Sequence, residues 1–207
     1  PELLPRSQDL KGPRVHVTAG PTVEDIDPVR FLSNRSSGKM GFAIAQAART
    51  RGAEVTLISG PTDLEFPGVV RVRSTEEMRQ AVVDRFSQAD VVIKAAAPLD
   101  FRPKTVASQK IKKAKAGSSL DLEPTPDILQ ELGARKDGKV LVGFAAETED
   151  LAKNARAKLK AKNLDLIVVN PVGGPDSGFD SDTNRASIID ADGAVQDIPL
   201  MSKSQMA

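Results

Sequence analysis

Short apolar runs rich in β-branched residues recur along the chain, and helical segments separate most of them. Continuous apolar runs are typical of parallel strands that are buried on both faces. Because parallel neighbours need a crossover connection, the alternation predicts an α/β fold with a Rossmann-like, doubly wound, mostly parallel sheet. The predicted strands are Arg14–Thr18, Glu54–Ile58, Val69–Val72, Asp90–Ala95, Lys139–Ala145 and Asp165–Val169, and the predicted helices are Lys39–Arg51, Thr75–Phe86, Pro126–Leu132 and Leu151–Lys162.

The last part of the chain has a different pattern. Ala186–Asp190 and Ala194–Ile198 flank an Asp-Gly pair typical of tight turns, so we expect a C-terminal β-hairpin. Residues 13–201 are assigned to one domain, 1–12 to a linker remnant and 202–207 to a truncated tail. Ligands of doubly wound sheets bind beyond the carboxyl ends of the strands, so a functional site is expected in those loops.

Two predicted helices begin with capping signals. Ser74 and Glu77 have the spacing of a capping box. Thr125 and Pro126 have the order of an N-cap residue followed by proline at the first helical position. We therefore expect these two helices to begin at Thr75 and Pro126.

The composition excludes several kinds of chemistry. The chain has no cysteine, which rules out disulfides and thiolate catalysis and suits a cytoplasmic protein. Its one histidine, His16, lies within the first predicted strand and is expected to be structural, so Ser-His-Asp and zinc-hydrolase schemes lack their main residue. A net charge of +1 and 3% aromatic residues argue against nucleic-acid binding, and no apolar run is long enough to cross a membrane.

A glycine-rich segment precedes the first predicted helix and reads N-R-S-S-G-K-M-G from Asn34 to Gly41. Backbone N–H groups at such a helix start, together with the helix dipole, form an anion site. The segment matches neither G-x-x-x-x-G-K-[ST] nor G-x-G-x-x-G, so a phosphate site and an ordinary capped turn both stay open. The candidate phosphate-binding residues are Ser36, Ser37, Gly38 and Met40.

Lysines are concentrated in the long connection that follows the fourth predicted strand. Long connections without clear structure are uncommon unless they are functional or disordered. The lysine segment, Lys110–Lys113, would lie at the same sheet edge as the glycine-rich segment, so it is either a cationic flap over an anionic ligand or a solvated loop. Lys158 and Lys162 share one face of the last predicted helix, which alone indicates only a solvated surface. The lysines of the connection are Lys104, Lys110, Lys112, Lys113 and Lys115.

Six motifs, taken in order, make the chain resemble phosphopantothenate–cysteine ligase from about Leu10 to about Leu200. They are V-T-A-G-P-T (Val17–Thr22), D-P-V-R-F-L-S-N-R-S-S-G-K-M-G (Asp27–Gly41), K-I-K-K (Lys110–Lys113), P-D-I-L (Pro126–Leu129), G-F-A-A-E-T (Gly143–Thr148) and K-N-L-D-L-I (Lys162–Ile167). Members are often the C-terminal half of a bifunctional protein that also carries a phosphopantothenoylcysteine decarboxylase. A fused protein and a stand-alone ligase both stay open for this chain.

The resemblance implies a two-step reaction of coenzyme A biosynthesis. The carboxylate of 4′-phosphopantothenate attacks the α-phosphate of a nucleoside triphosphate, and the amine of L-cysteine then attacks the acyl-nucleotide. The K-x-K-K motif of bacterial members is associated with CTP and Mg²⁺, so CTP is the expected co-substrate, with Mg²⁺ held mainly by its triphosphate. The family is dimeric, and Asp27–Asn34 or the terminal hairpin is the expected contact.

The resemblance also implies roles for individual residues. Asn34 would bind the substrate carboxylate and the acyl-nucleotide, and Lys110 would stabilise charge from the flap; these two are the expected catalytic residues. Asp27, Glu147 and Asp165 are expected to be structural. The expected nucleotide-binding residues are Ala96, Ala97, Asp100, Lys110, Pro126, Asp127, Ile128, Leu129, Phe144, Lys158 and Lys162.

Two positions depart from the family pattern, and two other functions are compatible with a Rossmann-like fold. The usual A-A-A-V-A-D-Y is A-A-A-P-L-D-F here, so Pro98 removes a backbone donor, and Lys94 stands where an apolar residue is common. An NAD(P)-dependent oxidoreductase would share the fold but should show G-x-G-x-x-G after the first strand, which Val17–Val23 lacks. A catalytically silent nucleotide-binding module stays open.

Overall fold

The computed structural model describes residues 8–113, 119–147, 151–171 and 181–207. Residues 1–7 of the predicted linker and Lys115 therefore lie outside the described residues. In chain order the elements are β1 (Arg14–Ala19), β2 (Val23–Asp25), β3 (Phe31–Ser33), α1 (Lys39–Thr50), β4 (Glu54–Ser59), β5 (Val70–Arg71), α2 (Thr75–Arg85), a 3-10 turn (Phe86–Gln88), β6 (Val91–Lys94), β7 (Phe101–Pro103), β8 (Leu122–Pro124), α3 (Ile128–Ala134), β9 (Val140–Glu147), α4 (Leu151–Ala161), β10 (Leu166–Pro171), β11 (Thr183–Asp190), β12 (Val195–Ser202) and α5 (Lys203–Met206).

One eight-stranded sheet runs through the molecule in the order β12-β11-β10-β9-β6-β1-β4-β5. The six strands from β10 to β5 are parallel, and β11 and β12 are antiparallel. The chain winds from β1 towards β5 and then from β6 towards β12, so the strand order reverses between β1 and β6. The predicted Rossmann-like, doubly wound sheet with a C-terminal hairpin is confirmed.

Helices cover both faces of the sheet, which explains why the strands read as continuous apolar runs. On one face Val17 belongs to the same apolar cluster as Phe42 of α1. On the other face Val92 is clustered with Leu132 of α3 and Leu159 of α4. Side chains on neighbouring positions of a strand therefore point to different helical layers.

The capping signals are partly confirmed. The Ser74 hydroxyl accepts a hydrogen bond from the Glu77 N–H (3.1 Å), whereas the Glu77 carboxylate accepts from the Arg73 N–H (2.7 Å) and not from Ser74. The expected start of α3 at Pro126 is wrong, because Asp127 is the N-cap and accepts from the Gln130 N–H (3.1 Å). The Thr125 hydroxyl instead donates to the carbonyl of Leu99 (2.5 Å).

Three features of the fold were not predicted. The strand pairs β2–β3 and β7–β8 are three residues long on each side, too short to show a period. The terminal hairpin is longer than expected and contains an irregularity between Asn184 and Ala186. Residues 203–206, placed outside the domain in the prediction, form α5, which packs against α1 and is capped by Ser202 and Gln205 in a capping box.

Gly41 permits the close approach of α1 to β1, and its replacement by alanine tests this packing. An added Cβ would lie 2.6 Å from Ala19 Cβ and 2.8 Å from the Thr18 carbonyl oxygen. Overpacking costs about 1–3 kcal/mol and the helix propensity of alanine returns up to ~1 kcal/mol, so Gly41→Ala should lower the free energy of unfolding. Urea unfolding measures it. Gln46→Ala, at an exposed position of α1, is the control, and equal stability of the two variants would contradict the packing argument.

Candidate functional site

A cleft of about 410 Å³ opens at the carboxyl ends of β1 and β6, where the strand order reverses. Doubly wound sheets bind ligands at this point, because loops from oppositely wound halves separate there. The cleft brings together eleven of the predicted site residues: Asn34, Ser36, Gly38, Met40, Ala96, Ala97, Asp100, Leu129, Phe144, Lys158 and Lys162. The predicted residues that do not line it are Ser37, Lys110, Pro126, Asp127 and Ile128.

The start of α1 has the features of an anion site. Gly38 is its N-cap residue with φ = 78°, a left-handed conformation that favours glycine, and an added Cβ would meet Thr62 Cγ2 at 2.9 Å. No side chain caps this helix start, and its first turn contains no acidic residue. The first-turn N–H groups and the positive end of the helix dipole therefore suit an anion in the adjoining cleft.

Asn34 joins the two loops that form the cleft. Its amide nitrogen donates to the carbonyl of Ala97 in the loop after β6, and its amide oxygen accepts from the Ser36 N–H (2.9 Å). The amide has two N–H donors, so one hydrogen remains beyond the bond to Ala97. Asn34 is thus placed to position the helix start and to donate to a ligand.

The loop after β6 is fixed by its own backbone donors. The N–H groups of Ala96, Ala97 and Leu99 donate to the Thr18 hydroxyl (3.2 Å), the Gly20 carbonyl (3.0 Å) and the Thr22 hydroxyl (2.9 Å), respectively. Pro98 has no backbone N–H group, and the N–H groups on either side of it are already used in hydrogen bonds within the fold. Ligand contacts from this loop are left to carbonyl groups and to the Asp100 side chain, which lines the cleft.

The cleft is strongly cationic. Asp100 is its one acidic side chain among the described residues, whereas five lysines line it: Lys39, Lys94, Lys158, Lys162 and Lys203. Lys39 pairs with Asp182 and Lys162 with Asp127, each at 2.8 Å. An excess of one charge sign in a partly enclosed cleft attracts a ligand of the opposite sign, here a polyanion.

Sequence reasoning missed several residues of the cleft. Lys203 of α5 is only 6% exposed, and the Asn184 amide donates to the Asn170 oxygen at 3.1 Å beside it in the lining. Nothing in the local sequence marks these residues, because the hairpin brings them to the cleft. Lys94 carried a signal, since a charged residue ends an otherwise apolar strand. Burial lowers the pKa of its ammonium to about 8, with a smaller contribution from Lys162.

The lysine segment is held by a buried carboxylate. Asp27, 2% exposed, accepts from the N–H groups of Val29 (2.8 Å), Arg30 (2.9 Å) and Ile111 (3.1 Å) and pairs with the Arg30 guanidinium. That guanidinium also donates to the Ile111 carbonyl (2.9 Å) and holds the pKa of Asp27 well below its usual range. Lys110 is exposed and next to this anchor, so the hairpin β2–β3 fixes where the segment leaves the surface.

His16 and Asp165 do not line the cleft and take part in the packing of the sheet. His16 is buried in β1 between β4 and β6, where burial lowers the pKa of its imidazole. Asp165 pairs with Lys136 (2.7 Å) and accepts from the Leu141 N–H (2.7 Å), and Glu147 ends β9. Within the described ranges no three acidic or histidine side chains are grouped as metal ligands, and no helix there could span a membrane.

Comparisons with known proteins agree with this arrangement. The bifunctional coenzyme A biosynthesis protein CoaBC of Bacillus subtilis is 51% identical over 201 residues, which are 95% of this chain and 50% of that protein. A protein named cysteine/cysteine sulfinic acid decarboxylase, from an unknown prokaryotic organism, is 48% identical over 96% of this chain and 56% of its own length. The crystal structure of the C-terminal domain of CoaBC matches with a TM-score of 0.82 and 44% identity, covering 97% of this chain and 92% of that one.

The chain thus spans about half the length of the curated relatives it matches. Its match to a family covers almost all of the described sequence, including both halves of the sheet and the cleft between them. Residues 10–207 match the DNA/pantothenate metabolism flavoprotein C-terminal domain, and the chain belongs to that family.

Proposed function

We propose that this chain is a phosphopantothenate–cysteine ligase that uses CTP in coenzyme A biosynthesis. The observation that carries the proposal is the cationic cleft at the strand-order reversal, in which Asn34 joins the start of α1 to the loop after β6. Similarity over nearly the whole chain to CoaBC supports the same function. CoaBC of Bacillus subtilis is named bifunctional and is about twice as long, which suits a fused decarboxylase; that fusion and a cytoplasmic location stay predictions.

In the first step, the carboxylate oxygen of 4′-phosphopantothenate forms a bond to the α-phosphorus of CTP, and pyrophosphate leaves with the electron pair of the broken P–O bond. The carboxylate is already ionised, so this step needs no general base. It does need charge stabilisation, because two anions approach each other while charge develops on phosphoryl oxygens. The N–H groups at the start of α1 and the lysines of the cleft supply fixed positive charge.

In the second step, the amine of L-cysteine attacks the carbonyl carbon of the acyl-cytidylate, forms the amide and releases CMP and a proton. A donor close to the acyl group stabilises the oxygen that becomes negative during this attack. Asn34 supplies such a donor through its second amide hydrogen. We therefore assign Asn34 to the acyl-nucleotide and Lys110 to charge stabilisation during its formation.

Mg²⁺ fits this cleft as part of the nucleotide. The ion prefers oxygen ligands and is usually held by one or two carboxylates together with substrate phosphates. Asp100 is the carboxylate that lines the cleft and would be the protein ligand, with the triphosphate supplying most of the others. When bound, Mg²⁺ would neutralise part of the phosphate charge.

Pyrophosphate release tests the proposed reaction. Release should require 4′-phosphopantothenate and Mg²⁺, be faster with CTP than with ATP, and turn over repeatedly only when cysteine is present. Preference for ATP would retain the ligase and overturn the assignment of CTP. A folded protein that binds CTP and releases no pyrophosphate would favour a silent nucleotide-binding module.

Asn34→Asp and Lys110→Gln should separate the two steps. Asn34→Asp replaces a donor by an anion next to the acyl group. The rate of product formation should therefore fall by roughly 10²-fold or more, and this loss should exceed any change in the rate of the first pyrophosphate burst. Lys110→Gln should slow that burst itself. Single-turnover kinetics measure both rates, with Lys160→Gln as an exposed control outside the cleft. Unchanged rates in both variants would contradict the assignments.

Asp27→Asn tests whether the buried carboxylate positions Lys110. The amide cannot accept as many hydrogen bonds and loses the charge that pairs with Arg30, so the lysine segment should detach. We expect faster tryptic cleavage within residues 104–113 and a slower pyrophosphate burst. Asp63→Asn, at an exposed position, is the control. Wild-type cleavage and burst rates in Asp27→Asn would show that the segment is held by other contacts.

We further infer that the chain forms a homodimer through its two short strand pairs, β2–β3 and β7–β8. Val29, Phe31, Phe101 and Leu122 are 58%, 54%, 53% and 46% exposed, and the two strand pairs touch through β2 and β7. Exposed apolar side chains grouped in this way are typical of interaction surfaces. Since β3 leads directly to Asn34, a second copy bound here would lie next to the cleft.

Phe101→Glu tests the dimer and its location. A buried unpaired charge at an interface is costly, so this variant should sediment as a monomer at micromolar concentration and lose specific activity. Leu200→Glu changes an exposed side chain of β12, in the terminal hairpin, and should leave the dimer intact. Dissociation by Leu200→Glu alone would move the interface to the terminal hairpin, and a monomeric wild-type protein would refute the dimer.

A further inference from the structure

Lys94 is the last residue of β6, one of the two strands that flank the reversal of strand order. Ile93 and Ala95 pack on the α1 side of the sheet, whereas Val92 packs on the side of α3 and α4. Because side chains alternate along a strand, Lys94 points to the α3 and α4 side and enters the cleft from there.

The ammonium of Lys94 has no internal partner that would explain its position. It forms no hydrogen bond or ion pair within the described parts of the chain, although Asp127 and Asp100 are near enough to act on its pKa. Asp127 is already paired with Lys162 at 2.8 Å. Lys94 is half-buried, and an unpaired ammonium partly removed from water destabilises a folded protein, so a bound ligand is the natural source of a partner.

The position of Lys94 indicates which part of a nucleotide it meets. The anion site at the start of α1 belongs to the other face of the sheet, where Phe42 packs with Val17. The same cleft is lined on the α3 and α4 side by Leu129, Lys162 and Lys94, so a nucleotide that spans the cleft from a triphosphate at the start of α1 would bring its base to these residues. Cytosine carries a carbonyl oxygen at C2, whereas adenine has no carbonyl group.

We propose that Lys94 is a base-recognition residue, whose ammonium donates a hydrogen bond to a carbonyl oxygen of the nucleotide base and so favours CTP over ATP. The assignment rests on the proposed nucleotide-dependent function. It adds a specificity residue on a strand, where the packing of β6 between β1 and β9 keeps it in place.

Lys94→Met tests the proposal by calorimetric titration of the protein with CTP, ATP and tripolyphosphate. CTP and ATP carry the same charge, so the ratio of their affinities isolates contacts to the base. A hydrogen bond from a charged group is worth about tenfold or more in affinity, so CTP should lose about that factor beyond the loss of ATP and tripolyphosphate, because removal of one positive charge weakens all three anions. Lys160→Met is the control outside the cleft.

Thermal unfolding of the same variant checks the premise that the ammonium is unpaired. Its pKa is lower in the folded chain, about 8, than the ordinary value of 10.5, so the charged form opposes folding. Lys94→Met should therefore have a Tm a few degrees above wild type at pH 7. The difference should shrink as pH rises from 8 to 10.5, because the penalty disappears over that range. A Tm below wild type at pH 7 would show that the fold itself pairs the ammonium and would overturn the proposal.

The other outcomes are equally decisive. Equal losses for CTP and ATP would place the ammonium on the phosphates and refute base recognition. Unchanged affinity for CTP in Lys94→Met, with wild-type pyrophosphate release, would refute the role of Lys94 and leave the ligase intact. Wild-type protein that binds neither nucleotide and releases no pyrophosphate would refute both.

Discussion

The pairing of β1 with β6 is the contact on which the site depends. It makes β1 and β6 neighbours in the sheet, although the chain continues from them towards opposite edges of the sheet. The loops that follow these two strands therefore diverge and leave a cleft between them. Three backbone N–H groups of the loop after β6 then donate hydrogen bonds to Thr18, which lies in β1, and to Gly20 and Thr22, which follow it. Asn34 completes the connection from the side of α1. The geometry of the cleft is thus fixed by hydrogen bonds between two halves of the sheet before any ligand binds.

Charge in the cleft follows from the same arrangement. Lysines reach the cleft from α1, β6, α4 and α5, and Lys39 and Lys162 pair with carboxylates that do not line it. Electrostatic repulsion between such groups opposes folding, and a polyanionic ligand removes it. A site of this kind is expected to be least stable when empty, and ligand binding should stabilise the whole domain.

The sequence predicted best what depends on burial pattern and least what depends on distant contacts. Continuous runs such as Lys139–Ala145 identified buried parallel strands, and the Ser74 cap was visible because its partner is three residues away. The family resemblance was confirmed by similarity over nearly the whole chain. The start of α3 was misplaced because Asp127 caps the helix, while the Thr125 hydroxyl bonds to Leu99 in the preceding loop. Lys203 was missed because only the terminal hairpin brings it back to the cleft. The roles of Lys110 and the nucleotide residues stay predictions.

The cleft contains residues from Asn34 to Lys203, so its parts are separated by most of the chain. Contacts of such large sequence separation form late in folding, because the entropy cost of closing a long loop comes before the favourable free energy of the contact. The site therefore has no local nucleus of its own, and it exists only when strands near both ends of the described chain are docked. Local opening of the terminal hairpin would remove Lys203 and Asn184 from the cleft while most of the parallel sheet stayed folded. Loss of the binding site can then precede global unfolding, so the heat sensitivity of ligand binding and that of the fold need not coincide.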